Sequence, residues 1–403
     1  MTEDAEGGLG RSAIDRYLPL VGTAEVDRVK ELAAGLSGQR IQHINATKHG
    51  GGVAEILQSL IPLADSLGLD IRWDVIAGMD GYFDVTKKMH NLLQGADGGL
   101  NEAEWQVYMA GAEYNATVVD PEAALVMVHD PQPLHLIGGR NGAARWLWRC
   151  HLDLTETNGG LWQRLAPMVD RYDATIFSLP DYSQPARPPA SFILPAIDPF
   201  TPKNVAMPAE DCRRHLERYK IPTDLPIVTQ ISRFDPWKDP AGVIEASRLA
   251  RREADHTLVM LGNMASDDPE GQRLYAEMER FRDERTLIMA DGDDRDLVNA
   301  LQSSADVVLQ KSIREGFGLT VTEALWKGRA VIAGRVGGIV HQIEDGENGF
   351  LVDSVEGAAG RIVELLRDPG LRTRLGEAGR ETVRERFLLL RLLAQELEVL
   401  GAA

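Results

Sequence analysis

Short apolar runs rich in Val and Ile alternate along this chain with longer segments of helical period, and that alternation restricts the fold to parallel sheets joined by crossover helices. In the first half the runs predict strands at Arg40–Asn45, Ile71–Ile76, Ala124–His129, Arg145–His151 and Ala174–Ser178, with Ser191–Leu194 as a further one. In the second half they predict Pro226–Ile231, Thr257–Leu261, Thr286–Met289, Asp306–Gln310 and Ala330–Ala333. A chain of 403 residues is too long for one ordinary core and suits two domains. Prolines 180, 185, 188, 189, 195, 199 and 202 cluster between the halves, where they oppose helix and central strand and predict a stiff connector. The expected organisation is an α/β chain of two Rossmann-like, doubly wound domains, 1–198 and 199–383, followed by a terminal helix at about 384–403.

Charge and composition remove several classes of function. The formal net charge of −18 repels nucleic-acid phosphates, so no nucleic-acid partner is expected, and an anionic substrate would need a local cluster of basic groups. No apolar run reaches the ~20 residues that span a bilayer, so no membrane partner is expected. The acidic, Gly-rich start from Met1 to Gly10 lacks the basic and apolar parts of a secretion signal, which makes the cytoplasm the expected location. Cys150 and Cys212 read as free thiols of a reducing compartment, and no Cys or His pair has zinc-finger spacing. A homodimer is the base-rate oligomer.

In open parallel sheets, ligands bind beyond the carboxyl ends of the strands, and the unusual residues of this chain collect there. The strongest group is Glu315-Gly316-Phe317-Gly318-Leu319-Thr320-Val321-Thr322-Glu323. Its glycines permit tight turns, and a helix opening there would aim its free N–H groups at an anion such as a diphosphate. A carboxylate accepts two hydrogen bonds from vicinal hydroxyls, so one glutamate suits a sugar diol and the other a ribose diol. Arg233 and Lys238 follow the strand Pro226–Ile231 and suit the charge that develops on a departing diphosphate; the alternative is surface pairing with Asp235 and Asp239. Gly50, Gly51 and Gly52 open a turn after the first strand without the dinucleotide spacing. His129 ends a strand, where it either meets a sugar hydroxyl or is satisfied by the backbone. Asn45, Asp80, His151 and Asp153 are candidate acceptor contacts, with a His151–Asp153 ion pair as the structural alternative. Tyr82, Phe83, Trp105, Tyr108 and Tyr114 suit either a sugar face or a helical core.

These residues resemble the retaining glycosyltransferases of family 4, which have the GT-B fold. The resemblance runs through nearly the whole chain. It rests on Glu315 and Glu323, on Arg233 and Lys238, and on Gly337-Gly338 followed by the stretch from Glu344 to Val352. Within the family, His43–Gly52, Gly81–Leu93 and His129–Pro133 resemble the trehalose-forming branch, and trehalose phosphorylases share that N-terminal pattern. The resemblance implies two domains facing across a cleft, with the last helix packing back on the first. The substrates implied are a nucleoside diphosphate glucose and free glucose, or trehalose in reverse. Glu315 would then contact the donor sugar, Gly316 to Thr320 (including Phe317, Gly318 and Leu319) the sugar and phosphates, and Glu323 the ribose. Arg233 and Lys238 would hold the diphosphate, His129 the donor glucose, and Gly50 to Gly52 would lie near phosphates and acceptor. Ser232 departs from the family, where Gly is common. No metal site and no tightly bound cofactor are implied, although Mg²⁺ carried on the diphosphate would assist. Four other readings stay open: a trehalose phosphorylase, another family 4 glucosyltransferase with a different acceptor, a glycoside hydrolase using the two glutamates, and a non-catalytic sugar-nucleotide sensor.

Overall fold

The computed structural model describes residues 13–49, 51–140, 142–263 and 269–402; Gly50 and the acidic start from Met1 to Gly10 lie outside them. The chain forms two compact units, one ending at Pro195 and resuming at Leu389, the other running from Ala196 to Leu388. Both are α/β.

The first unit is built on β1 (Arg40–Asn45), β2 (Asp70–Val75), β3 (Leu125–His129), β4 (Arg145–Arg149), β5 (Ala174–Phe177) and β6 (Ala190–Phe192), in the order β2-β1-β3-β4-β5-β6. The second is built on β7 (Ile227–Ile231), β8 (Thr257–Leu261), β9 (Thr286–Met289), β10 (Val307–Gln310), β11 (Ala330–Gly334) and β12 (Phe350–Val352), in the order β12-β11-β10-β7-β8-β9. Every pairing between these strands is parallel. The strand order reverses between β1 and β3 in one sheet and between β7 and β10 in the other, and such reversals open a crevice at the strand ends.

The sequence patterns explain most elements. β3, β7 and β8 are buried at all five positions, as sheets covered on both faces require. Helix starts carry side-chain caps: Asn101 with Glu104 forms a capping box, and Asn158, Asp294, Ser354 and Asp368 each accept a hydrogen bond from the first turn of their helix. One short strand departs from the expected pattern. β6 matches the expected run Ser191–Leu194 although it lies inside the proline-rich stretch, whereas β12 was not expected as a strand. Each has three residues at a sheet edge and pairs on one side only, where proline is tolerated and a period is too short to read. Among the aromatic residues, Tyr82 and Tyr108 are core, Trp105 packs beside that core under Arg164, and Phe83 and Tyr114 are exposed. Cys150 and Cys212 are buried free thiols. No helix among the described residues is long and apolar enough to cross a membrane.

Candidate functional site

At the reversal of the second sheet, two loops are tied into one structure. After β7 the chain turns through Pro236–Lys238, where Asp235 accepts the Trp237 N–H at 2.8 Å. Asp239 follows with φ of 47° and caps the helix Pro240–Ala250. The Gln230 side chain bridges the two strands: its amide donates to the Lys238 carbonyl at 2.9 Å, and its oxygen accepts from the Lys311 N–H at 3.1 Å. The Ile313 N–H donates to the Trp237 carbonyl at 2.8 Å.

This frame brings Lys238 Nζ to 2.5 Å from Glu315 Oε2. The same oxygen accepts from Ser312 Oγ at 3.2 Å and from the Gln310 amide at 3.4 Å. Glu315 Oε1 takes part in none of these bonds. Lys238 therefore pairs with Glu315 rather than with Asp239, whose partner is Lys311. Arg233 stays 64% exposed, with one contact of 3.3 Å to Asp235.

Gly318, with φ of 84°, caps the helix Leu319–Trp326, and a side chain there would meet Glu315 Cγ at 3.2 Å. Gly316 accepts from the Gly338 N–H at 3.0 Å; a Cβ on Gly338 would lie 2.4 Å from the Gly316 carbonyl oxygen, so that turn requires glycine. Phe317 is buried edge-on against Phe387, whereas Leu319 and Thr320 stay partly exposed. Glu323 is fully buried beneath the first turn: Oε1 lies 2.6 Å from Lys203 Nζ, and Oε2 has no hydrogen-bond partner among the described residues. The two glutamates thus sit in different surroundings, one in the loop and one inside the fold.

The first unit gathers a different set. Register pairs His43 with Met127 and His129 with Arg149. Each histidine of the series His43, His129, His151 therefore stands two residues beyond the partner of the one before. A step of two keeps side chains on the same sheet face, so the three form a diagonal row. His43 Nδ1 is 3.0 Å from His129 Nε2, and His129 Nδ1 is 3.1 Å from His151 Nε2. Successive rings stack with centroids 5.2 and 5.4 Å apart.

The C-terminal helix Leu389–Gly401 brings Glu396 to this face. Its Oε1 lies 3.4 Å from His43 Nε2, and its Oε2 bonds the Arg149 guanidinium. Asp130, at φ of 64°, accepts the His151 N–H at 2.7 Å and so braces the end of the row. His129 is buried, with both ring nitrogens engaged, so it offers none to a sugar in this structure. His151 is partly exposed and pairs with His129 rather than Asp153, whose carboxylate accepts the Thr155 N–H. Asn45 uses its amide on Trp73 and Thr47, Asp80 is exposed, and Gly51 with Gly52 opens the helix Gly52–Asp65. His43, Arg149 and Glu396 carry no functional signal in the sequence; strand register and the return of the last helix bring them together.

Burial holds the imidazoles of His43, His129 and His151 below the ordinary histidine range, and the Arg149 charge adds to this at all three. Burial also lowers His135 to about 4 and pushes the Asp130 carboxyl up to about 7. A group with a depressed folded pKa binds more protons when unfolded, so its contribution to stability is lost as pH falls below about 6.5. Asp130 has the opposite sign and regains stability as pH falls below about 7. Burial lowers His256 as well, and five histidines against one aspartate leave a net loss in acid. Urea denaturation at pH 7.5, 6.5 and 5.5 should show stability falling below pH 6.5, by up to ~1.4 kcal/mol per pH unit for each histidine. A flat or rising profile would contradict the burial of this row.

Comparison with known proteins decides the family. Residues 43–184 match the model of the trehalose synthase N-terminal domain, and 212–382 match glycosyl transferases group 1. The trehalose synthase of Pyrococcus horikoshii is 41% identical over 100% of this chain and 99% of its own length. The chain belongs to the trehalose synthase family. The Rubrobacter xylanophilus trehalose synthase is also 41% identical, over 97% of each chain. A trehalose phosphorylase of Pleurotus pulmonarius is more distant, at 25% identity over 92% of this chain and 58% of its own. Among solved structures, Anabaena HepE in complex with UDP and glucose superposes with a TM-score of 0.68 at 18% identity, over 91% of this chain and 100% of that one. Membership makes the chain a trehalose-forming glycosyltransferase with the GT-B fold. No group of three or more His, Cys, Asp or Glu among the described residues is placed to hold a metal ion.

Proposed function

We propose that this glycosyltransferase moves glucose from a nucleoside diphosphate glucose to free glucose, forming α,α-trehalose with retention at the donor carbon. The observation that carries the reading is the Lys238–Glu315 pair beside Arg233 and the N-terminus of the helix Leu319–Trp326, at the reversal of the second sheet. Two cations, each beside a carboxylate, and the N-terminus of that helix are the positive groups that an anionic donor would meet on a chain of net charge −18.

In this reading the diphosphate lies against Arg233, Lys238 and residues Gly316 to Thr320. Glu315 directs its free Oε1 at a donor-sugar hydroxyl, and its other oxygen holds the Lys238 ammonium in place. Buried Glu323, with its unpartnered Oε2, is the candidate for the ribose diol. As the bond from the anomeric carbon to the diphosphate oxygen breaks, the acceptor hydroxyl forms its bond on the same face and its proton passes to the departing oxygen. The cations stabilise the negative charge as it appears, so catalysis rests on positioning and electrostatics. Mg²⁺ carried on the diphosphate would add to the same stabilisation. Within the first unit, His151, the partly exposed end of the histidine row, is the candidate for contact with a sugar hydroxyl in place of His129.

Product analysis tests the proposal. Purified protein is mixed with glucose and, in turn, each nucleoside diphosphate glucose, without phosphate, and the products are read by NMR. A non-reducing glucose disaccharide with α,α linkage is expected. No turnover of any donor, together with cleavage of trehalose by inorganic phosphate, would replace this reading with a phosphorylase.

A further inference from the structure

We propose that Glu396 is a positioning residue whose carboxylate, acting through His43 and His129, orients His151 to present an unprotonated Nδ1 to a substrate hydroxyl. The inference rests on the proposed transfer reaction for the identity of that hydroxyl, but the order of the row itself does not.

The argument is one of donors and acceptors. A carboxylate paired with a guanidinium accepts hydrogen bonds and donates none. His43 Nε2 is buried and faces Glu396 Oε1 at 3.4 Å, with no hydrogen-bond partner among the described residues, so the favourable proton position is on that nitrogen. A neutral imidazole carries one N–H, which leaves His43 Nδ1 as an acceptor. His129 Nε2, 3.0 Å away, must then donate, and His129 Nδ1 becomes an acceptor in turn. His151 Nε2, at 3.1 Å, must donate to it. Nδ1 of His151 is left with a lone pair, and it has no hydrogen-bond partner among the described residues. One carboxylate at the buried end thus sets the direction of every bond up to the partly exposed end.

The surroundings keep the rings neutral. Arg149 lies among them and opposes a second positive charge, and burial disfavours the imidazolium at all three positions. Asp130 holds the His151 backbone through the 2.7 Å bond, so the last ring is fixed in place as well as in proton order. Without the carboxylate, the row could run in either direction. Reversed, His151 Nδ1 would carry a proton and would no longer accept from a hydroxyl.

The direct test is ring ¹⁵N spectroscopy of histidine-labelled protein at pH 7.5, which separates the Nε2–H tautomer, the Nδ1–H tautomer and the imidazolium. Signals are assigned by their loss in H43N, H129N and H151N. All three rings are expected as Nε2–H. A Nδ1–H tautomer or an imidazolium at any of them would overturn the proposal. In E396Q, whose amide both donates and accepts, the uniform order should be lost, and KM for the sugar that meets His151 should rise about tenfold with kcat little changed. His43→Phe, which keeps the Arg149–Glu396 pair, should free His129 and His151 in the same way and serves if E396Q does not fold. Unchanged tautomers in a folded variant would overturn the role of Glu396. The wild-type spectrum needs no substrate, so a correct proton order with no trehalose formed would remove the substrate reading and leave the order standing.

Discussion

Arg233→Ala should lower kcat by roughly 10²–10³-fold while stability stays within about 1 kcal/mol of the parent. The two halves of this expectation have separate causes. Arg233 is 64% exposed and has a 3.3 Å contact with Asp235, a pair of the surface kind that contributes little to folding. In the proposed reaction its value lies in a mostly exposed guanidinium where the leaving diphosphate would gain charge, while Lys238 is held by Glu315. Removing a preorganised cation from that position affects the transition state far more than the ground state. Steady-state kinetics at saturating donor, together with urea denaturation, reads both quantities. Arg233→Lys should recover only part of the rate, since an ammonium lacks the planar fork of a guanidinium. Unchanged kcat in Arg233→Ala would place the diphosphate elsewhere.

The second large effect concerns stability in the first unit. Arg149→Met or Glu396→Leu alone should each cost about 3–5 kcal/mol, whereas the double variant should lie close to the parent. The side chains of Arg149 and Glu396 are 3% and 2% exposed, so either charge left alone would be buried without its partner. Replacing both by apolar groups removes the desolvation cost as well as the attraction. Urea denaturation of the four proteins in a double-mutant cycle measures the coupling. Single variants costing under 1 kcal/mol would mean that water reaches the pair. Even a stable double variant should lack the ordered histidine row, which separates the stability of this pair from the positioning inferred for Glu396.

Much of the candidate donor-side group was legible because it depends on short-range rules. Glycines and charged residues placed just after apolar runs point to strand ends, and strand ends are where open parallel sheets bind ligands. Arg233, Lys238, Glu315 and Gly318 were all singled out this way, and they do lie in the segments after β7 and β10. Their pairing was not. In the sequence, Asp239 is the neighbour of Lys238, yet the turn at Asp239 sends its carboxylate to Lys311 and leaves Lys238 for Glu315. The sequence already places Glu315 in the loop after a strand and Glu323 within the helix, but does not show that Glu323 is buried against Lys203.

The sequence alone determined that the chain is α/β, where eleven of the twelve strands among the described residues lie to within a residue or two, and which segments follow those strands, because side-chain period and turn residues are local properties. The tertiary structure alone decided what lies beside what. Strand order and register set His43, His129 and His151 in one diagonal row, and the return of the last helix brought Glu396 to Arg149 across 247 positions of sequence. No local pattern specifies such contacts, since they arise from which buried faces pack together and not from the residues that precede or follow them in the chain.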